Sequence, residues 1–220
     1  MAHLFLLGGS GRTGGHIIDY ALSKGHTLTA LVRDPAKLTP RAGLTAVQGT
    51  PMNRGDVDGA IDGADAVIVA LNSTRRSDTP WAKPVSPPRL MADSVANATA
   101  AMAARGIRRI VVVSAFGAGD SLSREPLPIR WMITRTNLSY TYADHNLVDA
   151  EIRETDADWT LLRPVAFNKE PTAGKIAVTD IRGRKPSFFI SRPAVAHFAV
   201  DVIDAGSYIR EAPIISRSQN

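Results

Sequence analysis

A glycine-rich segment near the start of the chain, residues 4–18, reads LFLLGGSGRTGGHII and contains five glycines. Gly9, Gly11 and Gly14 have the spacing Gly-x-Gly-x-x-Gly, and they stand between an apolar run and a helical pattern. Such a turn lets an anion approach bare backbone at the start of a helix, where N–H groups are free to bind it. The segment therefore predicts a site for the pyrophosphate of a dinucleotide.

Two arginines indicate which dinucleotide is expected. NAD sites usually carry an acidic residue about 20 residues after the glycines, at the end of the second strand, where it binds the ribose 2′-hydroxyl. Here Arg33 stands at that strand end and Arg12 lies within the glycine turn, so two guanidinium groups can converge on a 2′-phosphate. NADP is the predicted cofactor. Asp34 follows Arg33 and keeps NAD as a second interpretation, unless it caps a short helix near Pro35.

Two further residues are candidates for chemistry at a reacting group. Ser114 ends a central apolar run, where its hydroxyl can bind a substrate carbonyl or a carboxamide, or simply the backbone. His145 stands near a predicted helix start, and Asp149 follows one turn later, where it can orient an imidazolium for acid–base work. The alternative for the second pair is a surface or helix-capping role.

The elements that must position these residues follow from apolar periodicity. Four strongly apolar runs are predicted as strands covered on both faces, and a weaker run, 44–48, as another. Helical patterns separate them and end at Gly25 and Gly106. This alternation predicts an α/β fold with a Rossmann-type, doubly wound parallel sheet. The four runs are 3–7, 27–32, 66–71 and 109–114, and the helical patterns are 16–24 and 91–104.

The pattern of predicted elements differs in the second half of the chain. A helix is expected over 143–154, a strand over 159–163, short strands at 175–179 and 187–190, and a helix over 194–204. Residues 165–220 are predicted to form a small C-terminal lobe facing the substrate, within a single domain that spans 1–220. Two loops, 72–90 and 117–142, are long enough to shape a substrate site, and Trp81 and Trp131 are candidates for its stacking walls, or for packing.

Composition narrows the classes of partner. The net charge is +5, but Lys and Arg are spread along the chain, so a phosphate-bearing small molecule is expected and nucleic acid is not. The chain has no cysteine, which removes disulfides and thiolate metal sites, and no metal site is predicted. No apolar stretch approaches the length of a membrane span. A soluble cytoplasmic protein, monomer or homodimer, is the expectation.

The segments GGSGRTG, LVRD, GADAVIVAL, RRIVVVSAFG and ADWTLLRP occur in this order. With them the whole chain resembles the atypical short-chain dehydrogenase/reductase family. It is most similar to the NAD(P)H-binding branch with NmrA-like proteins and the biliverdin reductase B and flavin reductases. The resemblance implies a pyrophosphate turn, an adenosine-phosphate contact, a strand end along the middle of the cofactor, residues beside the nicotinamide and a loop that closes over it. These are, in the same order, Gly8, Ser10, Gly11, Arg12, Thr13 and Gly14; Arg33; Leu71 and Asn72; Ser114, Ala115 and Phe116; and Pro164, Val165 and Phe167.

The larger dehydrogenase family uses a Tyr-x-x-x-Lys pair to protonate a carbonyl product. Asp144 and Asn146 stand four residues after Tyr140 and Tyr142, so neither tyrosine has its lysine. Hydride transfer to a planar conjugated acceptor asks little of the protein beyond cofactor, stacking surface and geometry. The leading hypothesis is therefore an NADPH-dependent reductase of a flavin, quinone or similar molecule. The alternatives are a non-catalytic NADP sensor of NmrA type and an epimerase or isomerase of a small metabolite.

Overall fold

One eight-stranded sheet organises the chain, and the computed structural model describes residues 1–218 of it. The strands are β1 (His3–Leu7), β2 (Thr27–Val32), β3 (Leu44–Gln48), β4 (Ala66–Val69), β5 (Arg109–Val113), β6 (Asp158–Pro164), β7 (Ala166–Phe167), β8 (Ile176–Thr179), β9 (Phe189–Ile190) and β10 (Ile214–Arg217). The helices are α1 (Arg12–Ser23), α2 (Arg54–Ala60), α3 (Leu90–Ala104), α4 (Leu127–Arg135), α5 (Leu138–Arg153) and α6 (Arg192–Asp204). The order across the sheet is β3-β2-β1-β4-β5-β6-β10-β8.

Every neighbouring pair in this sheet is parallel except β10 with β8, which is antiparallel. Both faces of the central strands are buried. Alternate residues of β1 pack with α2, α3 and α5 on one side, as Phe5 and Leu7 do, and with α1 and α6 on the other, as Leu4 and Leu6 do. This is why the apolar runs are continuous rather than alternating. The predicted Rossmann-type sheet is confirmed.

Four elements were not predicted from the sequence: helices α2 and α4, and strands β7 and β10. In α2, Gly55 and Gly59 have low helix propensity, so the sequence does not indicate the helix that Asn53 caps with its side chain. In α4, prolines that read as loop residues stand before or within the first helical turn, where proline is tolerated. The last strand, β10, is short, and it is held by pairing to β6 and β8.

Residues 165–218 contribute largely to the main sheet and its helical layer. β8 and β10 extend the sheet, and α6 packs against α1. Outside the main sheet, β7 and β9 form a two-stranded sheet of their own. Within residues 1–218 no helix combines the length and apolarity needed to cross a membrane.

Helices α3 and α5 are joined by a buried carboxylate. Asp144, in the interior of α5, accepts hydrogen bonds from the backbone N–H groups of Met91 (2.9 Å) and Ala92 (3.0 Å) and from the hydroxyl of Ser73 (3.0 Å). The residue at the start of α3, Arg89, has a φ of 58° and provides no side-chain cap. Asp144 therefore caps α3 from a neighbouring helix, and such a cap typically contributes about 1 kcal/mol.

The glycine turn is the tightest part of the fold. Gly8 has a φ of +92°, and a Cβ built on it would lie 2.5 Å from the carbonyl oxygen of Ala70, after β4. A Cβ on Gly14 would fall well inside 3.0 Å of the Gly8 carbonyl oxygen. The turn, the start of α1 and the end of β4 thus touch through backbone, which only glycine allows at these two positions.

We expect Gly14→Ala to lower the free energy of unfolding by about 3 kcal/mol, because the new methyl group must displace backbone. Gly15→Ala is the matched control, since it lies in the same helix and a Cβ there has nothing within 4 Å. It should raise stability by up to about 1 kcal/mol through helix propensity. Urea denaturation followed by circular dichroism measures both, and equal effects would contradict the close packing described.

Candidate functional site

The carboxyl ends of the parallel strands meet at one edge of the sheet, and the predicted site residues gather there. The turn 8–14 follows β1 and lies against the backbone of Ala70 and Leu71, directly after β4. Leu71 packs on the core, while Asn72 is exposed beyond it. The structure therefore brings together the predicted pyrophosphate turn and the strand end that was assigned to the middle of the cofactor.

The start of α1 is left open for a ligand. Gly11 occupies its N-cap position without a side-chain hydrogen bond, and the first turn holds no acidic residue. Helices α2 and α6 are capped by the side chains of Asn53 and Ser191, and α3 by Asp144, whereas α4 and α5, like α1, begin without a side-chain cap. Free N–H groups at a helix start bind anions, and the exposed Ser10 and half-buried Thr13 border them.

The two arginines predicted for the 2′-phosphate have different surroundings. Arg12 donates from its two terminal nitrogens to the two carboxylate oxygens of Asp78, at 3.4 Å each. Arg33 is exposed after β2 and forms no hydrogen bond or ion pair with any residue between 1 and 218. Asp34 accepts from the N–H of Ala36 at 3.1 Å and so caps the short 3-10 helix Pro35–Lys37. Its carboxylate is engaged in the capping role that the sequence allowed.

The ends of β5 and β6 are held together by main-chain bonds. Ser114 donates its N–H to Leu162 at 2.7 Å, and Phe116 donates to Pro164 at 2.9 Å. The side chains of Phe116 and Val165 turn into the core with α6, so any contact of theirs with a ligand would run through the backbone. Ala115 is half-buried, and Phe167 is exposed on β7.

Ser114 and His145 form a buried pair. The Ser114 hydroxyl lies 3.3 Å from Nδ1 of His145, and both side chains are almost fully buried. Burial lowers the pKa of His145 to about 4, against the opposing charge of the neighbouring Asp144. The imidazole is therefore neutral at physiological pH, and the pair suits hydrogen bonding more than proton donation.

Two expectations about His145 are wrong. It lies in the interior of α5, because the helix begins at Leu138 rather than near residue 143. Asp149 does not orient it as an imidazolium. Both oxygens of that carboxylate are taken, one by Arg153 at 2.6 Å and the other by the fully buried Arg163, which also donates to Asp120. A buried arginine needs such partners, and it outcompetes a neutral imidazole for them.

A Tyr-x-x-x-Lys spacing does occur earlier in the chain, at Tyr20 and Lys24. Both residues lie on α1 and bond to Asp201 of α6, each at 2.9 Å. Tyr20 also stacks on His197, with ring centroids 3.7 Å apart. Burial and the Asp201 hydrogen bond raise the pKa of the phenol. The pair ties two helices together and lacks the acidified phenol that catalysis requires.

Glu125 is a group near the site that the sequence did not indicate. Its side chain and the ring of Tyr142 both pack against Gly117, and the Tyr142 hydroxyl donates to the carbonyl of Phe116 at 3.1 Å. Burial raises the pKa of Glu125 to about 7, and burial together with the Glu125 charge raises the pKa of Tyr142. Only the tertiary contact of the 117–125 turn with α5 creates this environment, so no local signal could have found it.

The two loops bordering this edge leave large apolar side chains open to solvent. Trp81, in the segment after β4, is 67% exposed, and Trp131, on α4, is 58% exposed. Asn137 donates to the carbonyl of Trp81 at 2.7 Å, and Tyr140 donates to that of Ser86 at 2.9 Å, so the first loop is fastened to α5. Tyr140 thus anchors the loop, while the two indole rings are exposed on the protein surface.

Comparisons with known proteins agree with this geometry. A short-chain dehydrogenase/reductase (wide type) from Veillonella parvula DSM 2008, solved in complex with NADP, has a TM-score of 0.80 at 20% identity, over 99% of this chain and 95% of that chain. ChuY, an anaerobillin reductase from Escherichia coli O157:H7, has a TM-score of 0.80 at 16% identity, over 99% and 98%. At these identities the likeness concerns the fold.

A shorter sequence match links the chain to an isoflavone reductase homolog from Zea mays, 32% identical over 85 residues, which is 34% of this chain and 28% of the maize protein. The match to a family is far longer. The protein-family model described as NAD(P)H-binding covers residues 8–205, from the glycine turn through α6, and this protein therefore belongs to the NAD(P)H-binding family.

Proposed function

We propose that this protein is an NADPH-dependent reductase that transfers a hydride to a planar, conjugated acceptor such as a flavin or a quinone. The observation that carries the proposal is the exposure of two indoles, Trp81 in the loop after β4 and Trp131 on α4, in the segment after β5. Flat aromatic surface beside a nicotinamide site suits a flat acceptor. The buried, neutral Ser114–His145 pair and the unacidified Tyr20 fit a reaction with little acid–base demand.

The residues present fit the cofactor. The uncapped start of α1 and the bare backbone of Gly8, Gly11 and Gly14 suit a pyrophosphate, because a Cβ at Gly8 or Gly14 would collide with backbone. Arg33, exposed at the end of β2 and without an ion-pair partner among residues 1–218, stands where a 2′-phosphate would be recognised. The remaining cofactor residues are Ser10, Arg12, Thr13, Leu71, Asn72, Ser114, Ala115, Phe116, Pro164, Val165 and Phe167. When bound, the nicotinamide supplies the hydride.

The protein's own groups then have limited tasks. Ser114 offers a hydroxyl to a carbonyl or ring nitrogen, and His145 holds that hydroxyl in place from behind. Glu125, half-buried and with a pKa of about 7, is suited to deliver the proton that a reduced acceptor takes up. Tyr142 packs beside Glu125 at Gly117, and the charge of Glu125 raises the pKa of this phenol while that of Arg75 lowers it.

The proposed reaction is tested by incubating the protein with NADPH and a panel of FMN, FAD, riboflavin and quinones, and following absorbance at the reduced-nicotinamide band. We expect NADPH oxidation with at least one acceptor, reduced at least tenfold in Trp131→Ala. Tight NADPH binding without turnover of any of these acceptors, and with equal affinity for NADP, would contradict the proposal and favour the NADP sensor.

Replacement of Arg33 by alanine should weaken NADPH binding by about 10- to 100-fold and leave NADH binding within twofold, because one charge-assisted contact to the 2′-phosphate is lost. Calorimetric titration of both nucleotides measures this. Arg182→Ala, an exposed arginine after β8, is the control and should change neither affinity. Equal losses for NADH and NADPH in the Arg33 variant would remove the assignment of the 2′-phosphate to this residue.

Glu125→Gln should change the pH dependence of both rate and stability. Because the folded-state pKa lies above the unfolded value, the native protein binds the extra proton, and the stability from this group is lost as pH rises from about 4.5 through 7. The variant should therefore gain about 1–2 kcal/mol relative to wild type at pH 8, and nothing at pH 4. Its rate should lose the fall between pH 6 and 8. An unchanged pH–rate profile would exclude Glu125 as the proton donor.

A further inference from the structure

A cluster of three charges lies beside the glycine turn, formed by Arg12 at the start of α1, Asp78 in the 72–90 loop and Arg192 at the start of α6. The guanidinium of Arg192 sits over the ring of Phe167, 4.5 Å from its centroid. The charges of both Arg12 and Asp78 act on it, the first lowering its pKa and the second raising it, after the larger effect of burial. Arg12 is paired with Asp78, while Arg192 is close enough for its pKa to respond to both charges but is bonded to neither.

Arg192 is the unusual member of this cluster. It is half-buried, yet it forms no hydrogen bond or ion pair with another residue in the 1–218 range. Two other arginines packed into the fold do have partners. Arg163 has two carboxylates, and Arg109 donates to backbone carbonyls and to the Thr160 hydroxyl. A desolvated guanidinium that only faces an aromatic ring keeps all its donors available for a further acceptor.

Asp78 is a weak partner for Arg12. Its side chain is 86% exposed, that of Arg12 is 67% exposed, and both contacts are long, at 3.4 Å. Such an exposed pair contributes at most about 1 kcal/mol and is readily exchanged for a better acceptor. A diphosphate, with a negative charge on each phosphate group, would neutralise both arginines and accept bidentate hydrogen bonds from each.

We propose that Arg192 binds the pyrophosphate of the dinucleotide together with Arg12, and that Asp78 competes with the nucleotide for Arg12 and is displaced when the nucleotide binds. This inference rests on the proposed function, and it adds a residue, Arg192, that the glycine motif does not include. The proposal also gives the three arginines different ligand groups. Arg12, which the sequence predicted for the 2′-phosphate, contacts with Arg192 the diphosphate that NAD and NADP share. Arg33 alone then distinguishes NADP from NAD.

Calorimetric titration of NADH and NADPH tests the assignment of Arg192. Arg192→Ala should weaken both nucleotides by a similar factor, about 10- to 100-fold, and Arg192→Gln, which keeps the stem over Phe167, should show most of that loss. Arg182→Ala should change neither. Circular dichroism melting shows whether each variant is folded. Wild-type affinity in the folded Gln variant, or a loss confined to NADPH, would overturn the role of Arg192.

The competing role of Asp78 has its own test, because it predicts a gain. Asp78→Asn should tighten NADH and NADPH by about two- to fivefold, since a carboxylate that repels the diphosphate is removed. Asp156→Asn, a fully exposed carboxylate before β6, is the control and should have no effect. Weaker binding in the Asp78 variant would overturn the competition. If the wild-type protein binds neither nucleotide, the proposed function itself fails, and the inference with it.

Discussion

The backbone contact between the glycine turn and the strands beside it is the constraint on which the site depends. Gly8 lies against the carbonyl of Ala70, and Gly14 lies against the carbonyl of Gly8. These approaches fix where α1 begins, and they leave its first N–H groups without a side-chain cap. A helix start that carries free donors and adjoins β4 is suited to an anion, and the rest of the site is arranged around that point.

Buried polar contacts position the second half of the site. Asp144 caps α3 from α5, and Arg163 is neutralised by Asp120 and Asp149. Each of these contacts satisfies a group that would be costly to bury alone. Together they fix α5 against the ends of β5 and β6, which holds the imidazole of His145 behind Ser114. The same burial that orders this histidine also lowers its pKa to about 4, so the imidazole is neutral at physiological pH.

Positive charge is concentrated instead where phosphates would bind. Arg12 and Arg192 stand at the starts of two helices that pack on the same face of the sheet, and Arg33 stands at the end of β2. Under the proposed function, these cations would bind the phosphates of the cofactor, while the groups offered to the acceptor are Ser114, the neutral His145 and Glu125, whose pKa is about 7.

The sequence by itself determined the architecture and the kind of ligand. Buried parallel strands need apolar residues on both faces, so the runs in β1, β2, β4 and β5 identified the sheet, and the glycine spacing identified the turn, because steric limits at Gly8 and Gly14 are local. The partners of charged side chains were decided only by tertiary structure. Helical spacing predicted that Asp149 would orient His145. In the structure Asp149 instead accepts a hydrogen bond from Arg163, which lies on another element. The same reason explains why the sequence did not indicate the surroundings of Glu125, Arg192 and the Tyr20–Lys24 pair. Burial and charge pairing depend on which elements pack together, and local spacing does not encode that.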